Sequence, residues 1–301
     1  MRLTKLHGLG NDYLFYTPSP GEEEERDWSD IARRASDRHF GVGADGLILA
    51  LPSAVADLRM RIFNADGSEA EMCGNGIRCL AKYAVEEGLV DPTAERLRIE
   101  TLAGVLTIDL VRERGEVVGA RVDMGQPRLR PAEIPVAVEG EGPILDYPLE
   151  VDGVQLRLAF VSMGNPHAVH FLDGDPDEFP LERLGPQVEH HPLFPRRTNF
   201  QIVQVLDRHR VKHRVWERGA GLTLASGTSA AAVCVAGCLK GLLESPVVDS
   251  LPGGELLLEW DGTGSVFMTG PAVRVFDAEW NERDTPRYHP SERATSAPSH
   301  P

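Results

Sequence analysis

The chain has 301 residues, of which 42% are hydrophobic and 26% are charged, a composition typical of a globular protein long enough for two domains. Its 46 acidic and 31 basic side chains give a formal net charge of −15, which argues against binding to nucleic acid or to an anionic membrane surface. Its apolar runs are much shorter than the roughly 18 residues of a membrane-spanning helix. Small molecules and further copies of the chain are therefore the expected partners.

The amino-terminal segment, MRLTKLHGLGND, reaches glycine and Asn11 before an apolar stretch of the kind found in secretory signals can form. We therefore expect a cytoplasmic protein. In that reducing compartment its four cysteines, at positions 73, 79, 234 and 238, are expected to remain thiols.

Alternating and β-branched residues predict several short strands. The predicted strands are residues 58–63, 97–100, 105–108, 157–161 and 211–216. Two longer runs, 77–87 and 230–243, carry Ala, Leu, Val and Cys on nearly all faces, which predicts helices buried inside their own domains. Residues 278–301 combine several prolines with charged and small residues, so we expect a disordered tail.

Two parts of the sequence repeat each other at a nearly constant offset of about 153 residues. In each copy, a glycine turn opens one of the two predicted helices. The matched positions are Asn11 with Asn165, Asn64 with Glu217, and Cys73 with Ser226.

This duplication predicts an α+β fold of two pseudo-symmetric domains, each a sheet wrapped around a central buried helix. The first domain is expected to cover residues 1–115. The second is expected to cover residues 116–264. The residues 113–116, Glu-Arg-Gly-Glu, are typical of a turn between two strands where the halves meet.

Two local patterns resemble a nucleotide-binding motif and a metal site, but the sequence around each of them argues against that function. The segment from Gly41 to Gly46 matches the dinucleotide pattern GxGxxG, but a strand-like run follows it where that motif requires a helix. Cys234 and Cys238 have a spacing that can bind a metal ion, but no further Cys or His pattern accompanies them, which favours packing in the core. We therefore expect neither a nucleotide cofactor nor a metal.

Cys73 is the strongest candidate for a catalytic residue. It directly precedes Gly74-Asn75-Gly76 and the first predicted helix, and a helix N-terminus favours the anionic form of a sulfur atom. The same backbone amides can bind a substrate carboxylate. Ser226 holds the matching place before the second helix, so the two side chains are expected to face each other across one cleft. By itself, a cap of this kind is equally compatible with a purely structural role.

Five motifs in order resemble the diaminopimelate epimerases, which are cofactor-independent amino-acid racemases of the proline racemase and epimerase superfamily. The motifs are MRLTKLHGLGND, NADGSEAEMCGNGIRC, FVSMGNPHAV, TNFQIV, and WERGAG followed by SGTSA. The resemblance extends from Met1 to about Phe276. It implies that each of the two pseudo-symmetric domains is a mixed, mostly antiparallel sheet around its central helix, and that a strand at about 265–277 closes the first domain. It also implies a substrate bound between the helix N-termini, no cofactor, and a homodimer.

The resemblance also implies roles for individual residues. One proton carrier is Cys73, and the matching position is Ser226. The amides at Gly74, Asn75, Gly227 and Thr228 would bind the α-carboxylate. The distal end of a substrate with two amino-acid groups would be bound by Asn11, Asn64, Asn165, Asn199 and Arg218. His167 and Glu217 would tune the pKa of the proton carriers, with Glu217 also contacting the substrate.

The second half departs from the family pattern at three neighbouring positions. Ser226 replaces the second cysteine, Leu222 stands where the family usually has Glu, and Ser229 stands where it usually has Gly. A hydroxyl is a much weaker acid than a thiol, so Ser226 can act as a base near neutral pH only if a neighbouring group activates it.

The resemblance and this departure together leave three candidate functions. The first is epimerisation of LL- and meso-diaminopimelate, an isomerase reaction of lysine and peptidoglycan precursor synthesis. The second is a one-base reaction, either proton exchange or β-elimination on an amino acid. The third is amino-acid binding without catalysis.

Overall fold

The structure is a computed structural model that describes residues 1–285, within which it has eighteen strands, five α-helices and one short 3₁₀-helix. The first half contains β1 (Arg2–Gly8), β2 (Asn11–Tyr16), α1 (Glu22–Glu25), α2 (Trp28–Ser36), β3 (Gly46–Leu51), β4 (Leu58–Asn64), β5 (Glu69–Ala70), α3 (Gly74–Glu86), β6 (Arg96–Thr101), β7 (Gly104–Glu113) and β8 (Glu116–Asp123). The second contains β9 (Tyr147–Val151), β10 (Val154–Ser162), β11 (Pro166–Leu172), α4 (Leu181–Glu189), β12 (Asn199–Asp207), β13 (Arg210–Glu217), β14 (Gly221–Leu222), α5 (Gly227–Leu239), β15 (Val247–Leu251), β16 (Gly254–Glu259), β17 (Phe267–Pro271) and β18 (Val273–Glu279). The predicted α+β class and all five predicted strands are confirmed.

The two halves have the same strand topology. In the first, β2 is parallel to β3, β3 is antiparallel to β4, and β4 is parallel to β6. In the second, β11 is parallel to β12, β12 is antiparallel to β13, and β13 is parallel to β15. The short strands β5 and β14 pair with β4 and β13 in the same way. The repeat seen in the sequence is therefore a repeat of structure.

A buried helix lies at the centre of each half. The strands β1, β2, β3, β7 and β8 pack around α3, and β10, β11, β12 and β16 pack around α5. Both helices begin at the glycine turn, three residues before the apolar run that predicted them. They contact each other near these N-termini, where a Cβ added to Gly74 or Gly227 would crowd Met268, at 3.2 Å and 2.9 Å respectively. Glycine thus allows the two helix N-termini to approach the same methionine.

The halves meet at a pair of antiparallel strands, β8 and β17. The predicted turn after Glu113 joins β7 to β8, and β8 packs on α3, the central helix of the first half. We therefore propose that the first half extends to Asp123 rather than to residue 115. The predicted closing strand is two strands, of which β18 returns to the first half and pairs with β1.

Part of the predicted disordered tail is ordered. The strand β18 continues to Glu279, and the next residue, Trp280, is buried and donates its backbone N–H to the Met1 carbonyl oxygen at 2.8 Å. The Glu282 carboxylate pairs with Arg26 and Arg34. The prediction is wrong for residues 278–285, because partners from the opposite end of the chain order a segment whose own composition is polar. Residues 286–301 lie outside the described residues.

The glycine motif lies in the loop between α2 and β3. The strand predicted after it is confirmed as β3, so the strand–turn–helix context of a dinucleotide site is absent from this segment. Within residues 1–285, no helix has the length and apolar character needed to cross a membrane.

Candidate active site

The N-termini of α3 and α5 open into one cleft of about 1220 Å³, which is lined by both halves. Ten of the thirteen site residues predicted from the sequence lie on its wall. They are Asn11, Asn64, Cys73, Gly74, Asn75, Asn165, Glu217, Ser226, Gly227 and Thr228. The other three, His167, Asn199 and Arg218, do not line it.

Cys73 and Ser226 hold equivalent positions as the N-caps of the two helices. Their backbones are nearly identical, with φ and ψ of −140° and 121° at Cys73 and of −141° and 115° at Ser226. Their side chains differ, because the Cys73 sulfur accepts from the Gly76 amide of its own helix, whereas Ser226 makes no such cap. The two N-caps therefore share the same backbone conformation, but they differ in side-chain type and in hydrogen bonding.

The Cys73 sulfur lies among three polar partners. It accepts from the Tyr13 hydroxyl and from the Gly76 amide, each at 3.4 Å, and its thiol donates to Asn11 Oδ1 at 3.5 Å. Burial raises the pKa of the Tyr13 phenol, which keeps that group protonated and able to donate. Tyr13 was not predicted from the sequence, although its spacing of two from Asn11 on β2 places both on one face of the strand.

Asn11 is held in place by the loop that carries the glycine motif. Its amide donates to Asp45 Oδ2 at 2.7 Å, while its carbonyl oxygen accepts from the Asn75 amide at 3.3 Å. Asp45 in turn pairs with Arg38 at 2.9 Å. Asp45 of the glycine motif thus positions Asn11 in the wall of the cleft.

Ser226 has a direct carboxylate partner. Its hydroxyl donates to Glu217 Oε2 at 2.8 Å, and the Thr223 hydroxyl donates to Glu217 Oε1 at 2.6 Å. Burial raises the pKa of the Glu217 carboxyl, and the two hydroxyl donors oppose that change. A carboxylate able to accept a proton thus lies against the Ser226 hydroxyl.

His167 reaches the cleft only through Asn165. Burial lowers the pKa of His167 to about 3, so the ring is neutral at physiological pH. Its Nε2 donates to Asn165 Oδ1 at 2.9 Å, and its Nδ1 accepts from Gln201 at 2.8 Å. The Asn165 amide then donates to Thr228 Oγ1 at 3.3 Å. This arrangement orients Asn165 rather than placing a charge beside Cys73 or Ser226.

Asn199 and Arg218 contact each other behind the cleft. The buried Asn199 donates to the Pro166 carbonyl oxygen and accepts from the Arg218 backbone N–H, both at 2.9 Å. The exposed Arg218 guanidinium donates to the Arg196 carbonyl oxygen at 3.1 Å. The Arg218 guanidinium, expected to bind a carboxylate, therefore bonds a backbone carbonyl oxygen and is not part of the cleft wall.

The two other departures from the family pattern differ in their surroundings. Leu222 is 39% exposed and lines the cleft. Ser229 is fully buried, and its hydroxyl accepts from the Gln201 amide at 3.0 Å. Ser229 is therefore linked through Gln201 to His167. Leu222, by contrast, can contact a ligand in the cleft.

Comparison with known proteins agrees with this geometry. The diaminopimelate epimerase family model matches residues 3–130 and 159–275. The chain is 52% identical over 281 residues to the diaminopimelate epimerase of Moorella thermoacetica, covering 93% of this chain and 99% of that protein. It is 50% identical over 280 residues to the diaminopimelate epimerase of Acetivibrio thermocellus, covering 93% and 98%.

The chain belongs to the diaminopimelate epimerase family.

More distant solved structures share the fold of this family member. A Bacillus anthracis protein of the PhzF phenazine biosynthesis family superimposes with a TM-score of 0.66 at 18% identity, covering 92% of this chain and 98% of that one. A hydroxyproline epimerase from Agrobacterium vitis gives 0.63 at 15% identity, covering 92% and 91%. The predicted fold of two domains, each built on a central helix, is thereby confirmed.

The four cysteines lie in different environments, which predicts their reactivity. Burial raises the pKa of Cys79 to about 12, and the pKa of the buried Cys234 is also raised, mainly because its thiol donates to Cys238. Cys238 is half-buried rather than fully buried, and the hydrogen bond from Cys234 lowers its pKa. Cys73 is half-buried at a helix N-terminus and lines the cleft.

We expect Cys73 to be the first cysteine alkylated by iodoacetamide, with Cys238 second, because only these two are accessible and only Cys73 faces the cleft. Peptide mass spectrometry after brief treatment measures the order, and Cys73→Ser is the control that should remove the fast label alone. Labelling of Cys79 or Cys234 at the rate of Cys73 would contradict this assignment.

Proposed function

We propose that this protein is a diaminopimelate epimerase, which interconverts LL- and meso-diaminopimelate by removing and returning the α-proton without a cofactor. The observation that carries the proposal is that Cys73 and Ser226 cap two symmetry-related helices that open into one cleft. Its family relatives carry this name at about 50% identity along nearly their whole length.

The backbone amides at the two helix N-termini are proposed to bind the α-carboxylate. Each helix offers unpaired N–H groups in its first turn, at Gly74-Asn75 and at Gly227-Thr228. These amides face the group on which negative charge develops when the α-proton leaves. An enzyme of this kind needs such stabilisation because the carbanion otherwise has only its own carboxylate and ammonium groups.

Cys73 is proposed to carry the proton on one face of the substrate. The Tyr13 hydroxyl and the Gly76 amide both donate to the sulfur, so they stabilise it when it is anionic. When the sulfur takes the α-proton, these donors need not move.

The pair of Ser226 and Glu217 is proposed to carry the proton on the other face. As the hydroxyl oxygen of Ser226 takes the α-proton, its own proton passes to Glu217 Oε2, to which it is already hydrogen bonded at 2.8 Å. In the reverse direction Glu217 returns that proton and Ser226 protonates the α-carbon. Burial raises the pKa of Glu217 toward neutral pH, which suits this carboxyl to accepting and returning a proton.

The distal amino-acid group of the substrate is proposed to bind Asn11, Asn64 and Asn165, which line the cleft. Asn199 and Arg218 can join them only after a rearrangement, because Asn199 bonds the Pro166 carbonyl oxygen and the Arg218 backbone, and the Arg218 guanidinium bonds the Arg196 carbonyl oxygen. A homodimer in the cytoplasm is also part of the proposal. The apolar side chains exposed on β18, Val273, Val275 and Phe276, supply a surface for a second copy.

Incubation with LL- or meso-diaminopimelate in deuterated water tests the proposed function. We expect α-deuteration together with inversion, read by mass spectrometry and chiral chromatography, and we expect Cys73→Ala to abolish inversion. Deuteration without inversion would instead show one-base exchange, and loss of a β-substituent from a suitable amino acid would show elimination. Tight binding with no exchange would show a protein that only binds amino acids.

A further inference from the structure

Arg78 is a fully buried cation directly behind the cleft. It lies on α3, one turn after Gly74, and its side chain is 0% exposed. Its guanidinium donates to Asn75 Oδ1 at 2.7 Å, to the Gly74 carbonyl oxygen at 3.1 Å, and to the Pro271 carbonyl oxygen at 3.3 Å. All of these acceptors are uncharged. Among residues 1–285, Arg78 forms no ion pair with a carboxylate.

The fold leaves room for this guanidinium at two glycines. A Cβ at Gly8 would lie 2.9 Å from Arg78 Nη2, and a Cβ at Gly270 would lie 3.0 Å from Arg78 Cζ. On a further side the guanidinium contacts the Met268 sulfur at 3.9 Å. These neighbours exclude water, so the charge is screened weakly.

A buried charge without a counter-charge is costly, and such groups usually pair or become neutral. Burial lowers the pKa of Arg78, but an arginine does not lose its proton at physiological pH. The guanidinium therefore remains a cation. The cost falls when an anion binds or forms nearby.

Hydrogen bonds connect Arg78 to the Cys73 sulfur. Arg78 fixes the Asn75 side-chain oxygen, and the Asn75 amide donates to Asn11 Oδ1 at 3.3 Å. That same Asn11 oxygen accepts from Cys73 at 3.5 Å. The cation is thus linked to the reacting sulfur through two asparagine side chains that line the cleft.

We propose that Arg78 is a positioning residue that supplies the buried counter-charge for the anions at the N-terminus of α3, namely the Cys73 thiolate and the substrate α-carboxylate. The inference rests on the proposed function for the identity of the carboxylate. The positive potential at Cys73 does not depend on it and can be measured without turnover.

Two alkylating reagents of similar size test this potential at Cys73, because iodoacetate is an anion and iodoacetamide is neutral. The measured quantity is the rate constant of iodoacetate divided by that of iodoacetamide at Cys73. Both are determined by peptide mass spectrometry at constant ionic strength. Arg78→Gln and Arg78→Met should lower the ratio by about threefold to tenfold, as expected for removal of one weakly screened charge. Arg78→Lys retains the charge and should preserve the ratio.

The matched control is Arg34→Met. Arg34 is also buried, but it pairs with Asp30 and Glu282 and does not line the cleft. Its loss changes the net charge of the protein by the same amount as the loss of Arg78, and it should leave the ratio at Cys73 unchanged. A ratio unchanged in Arg78→Gln, or lowered equally in Arg34→Met, would overturn the proposal. A merely structural role would slow or speed both reagents together.

The native protein decides the matter if neither neutral variant folds. Its ratio should exceed that of N-acetylcysteine amide, a neutral small thiol, despite the net charge of −15 on the chain. A native ratio no higher than that of the small thiol would overturn the proposal, whether or not the protein epimerises diaminopimelate.

Discussion

Ser226→Cys is expected to raise the rate of epimerisation by at least about tenfold, approaching the roughly 10²- to 10⁴-fold effect of a positioned general acid or base. The reason is that an unperturbed thiol has a pKa of about 8.5 and can hold or release a proton by itself. A serine hydroxyl must pass its proton on to Glu217. Both rates are measured from inversion of LL-diaminopimelate, with a reductant present because facing thiols can form a disulfide.

Ser226→Ala is the control for this gain. If the hydroxyl relays a proton, the alanine variant loses inversion but still exchanges the α-proton on the Cys73 face. An unchanged rate in Ser226→Cys, with the protein still folded, would contradict the expectation that the missing thiol limits catalysis. Leu222, which lines the cleft in place of the family's usual Glu, would then be the group that disables catalysis, and amino-acid binding would be the better-supported function.

Glu217→Gln is expected to lower the rate of inversion by about 10²-fold or more, because Ser226 loses the acceptor for its proton. Glutamine preserves the shape, and its carbonyl oxygen can still accept from Thr223. The fold is therefore expected to survive, which circular dichroism and thermal unfolding can verify. The rate is again measured as inversion of LL-diaminopimelate.

A double variant separates a relay from a general electrostatic effect of Glu217. In the Ser226→Cys background, Glu217→Gln should cost less than about tenfold, because the thiol carries its own proton and the two changes are not additive. Glu182→Gln is the matched control, since it removes a carboxylate from the same cleft that pairs with Arg214 and not with Ser226. Equal losses in Glu217→Gln and Glu182→Gln, or equal losses of Glu217→Gln in both backgrounds, would contradict the relay.

Secondary structure was predicted best where the signal is local. The two central helices and the five strands follow from periodicity, because runs that are apolar on every side must be buried on every side. The helices α2 and α4 were not predicted. The α2 segment is rich in charged residues, and α4 contains Pro186, so neither shows a long apolar run.

The positions of the candidate site residues were predicted better than the contacts that they make. The caps Cys73 and Ser226 are recognisable because a glycine turn before a helix is a sequence-local feature. The sequence could not show that Asn199 bonds the backbone of Arg218 or that His167 is neutral. Those properties depend on side-chain orientation and on burial by segments far away in the chain.

By itself, the sequence determined the duplication, the fold class, the family and most of the cleft wall, because each of these is encoded in short motifs and their spacing. Only the tertiary structure decided which groups contact Cys73 and Ser226. Tyr13 reaches Cys73, and Glu217 reaches Ser226, because different strands converge on the helix N-termini. Arginine is usually exposed, so the sequence alone does not indicate that Arg78 is buried. It becomes a buried cation because β1 and β17 pack against it through Gly8 and Gly270.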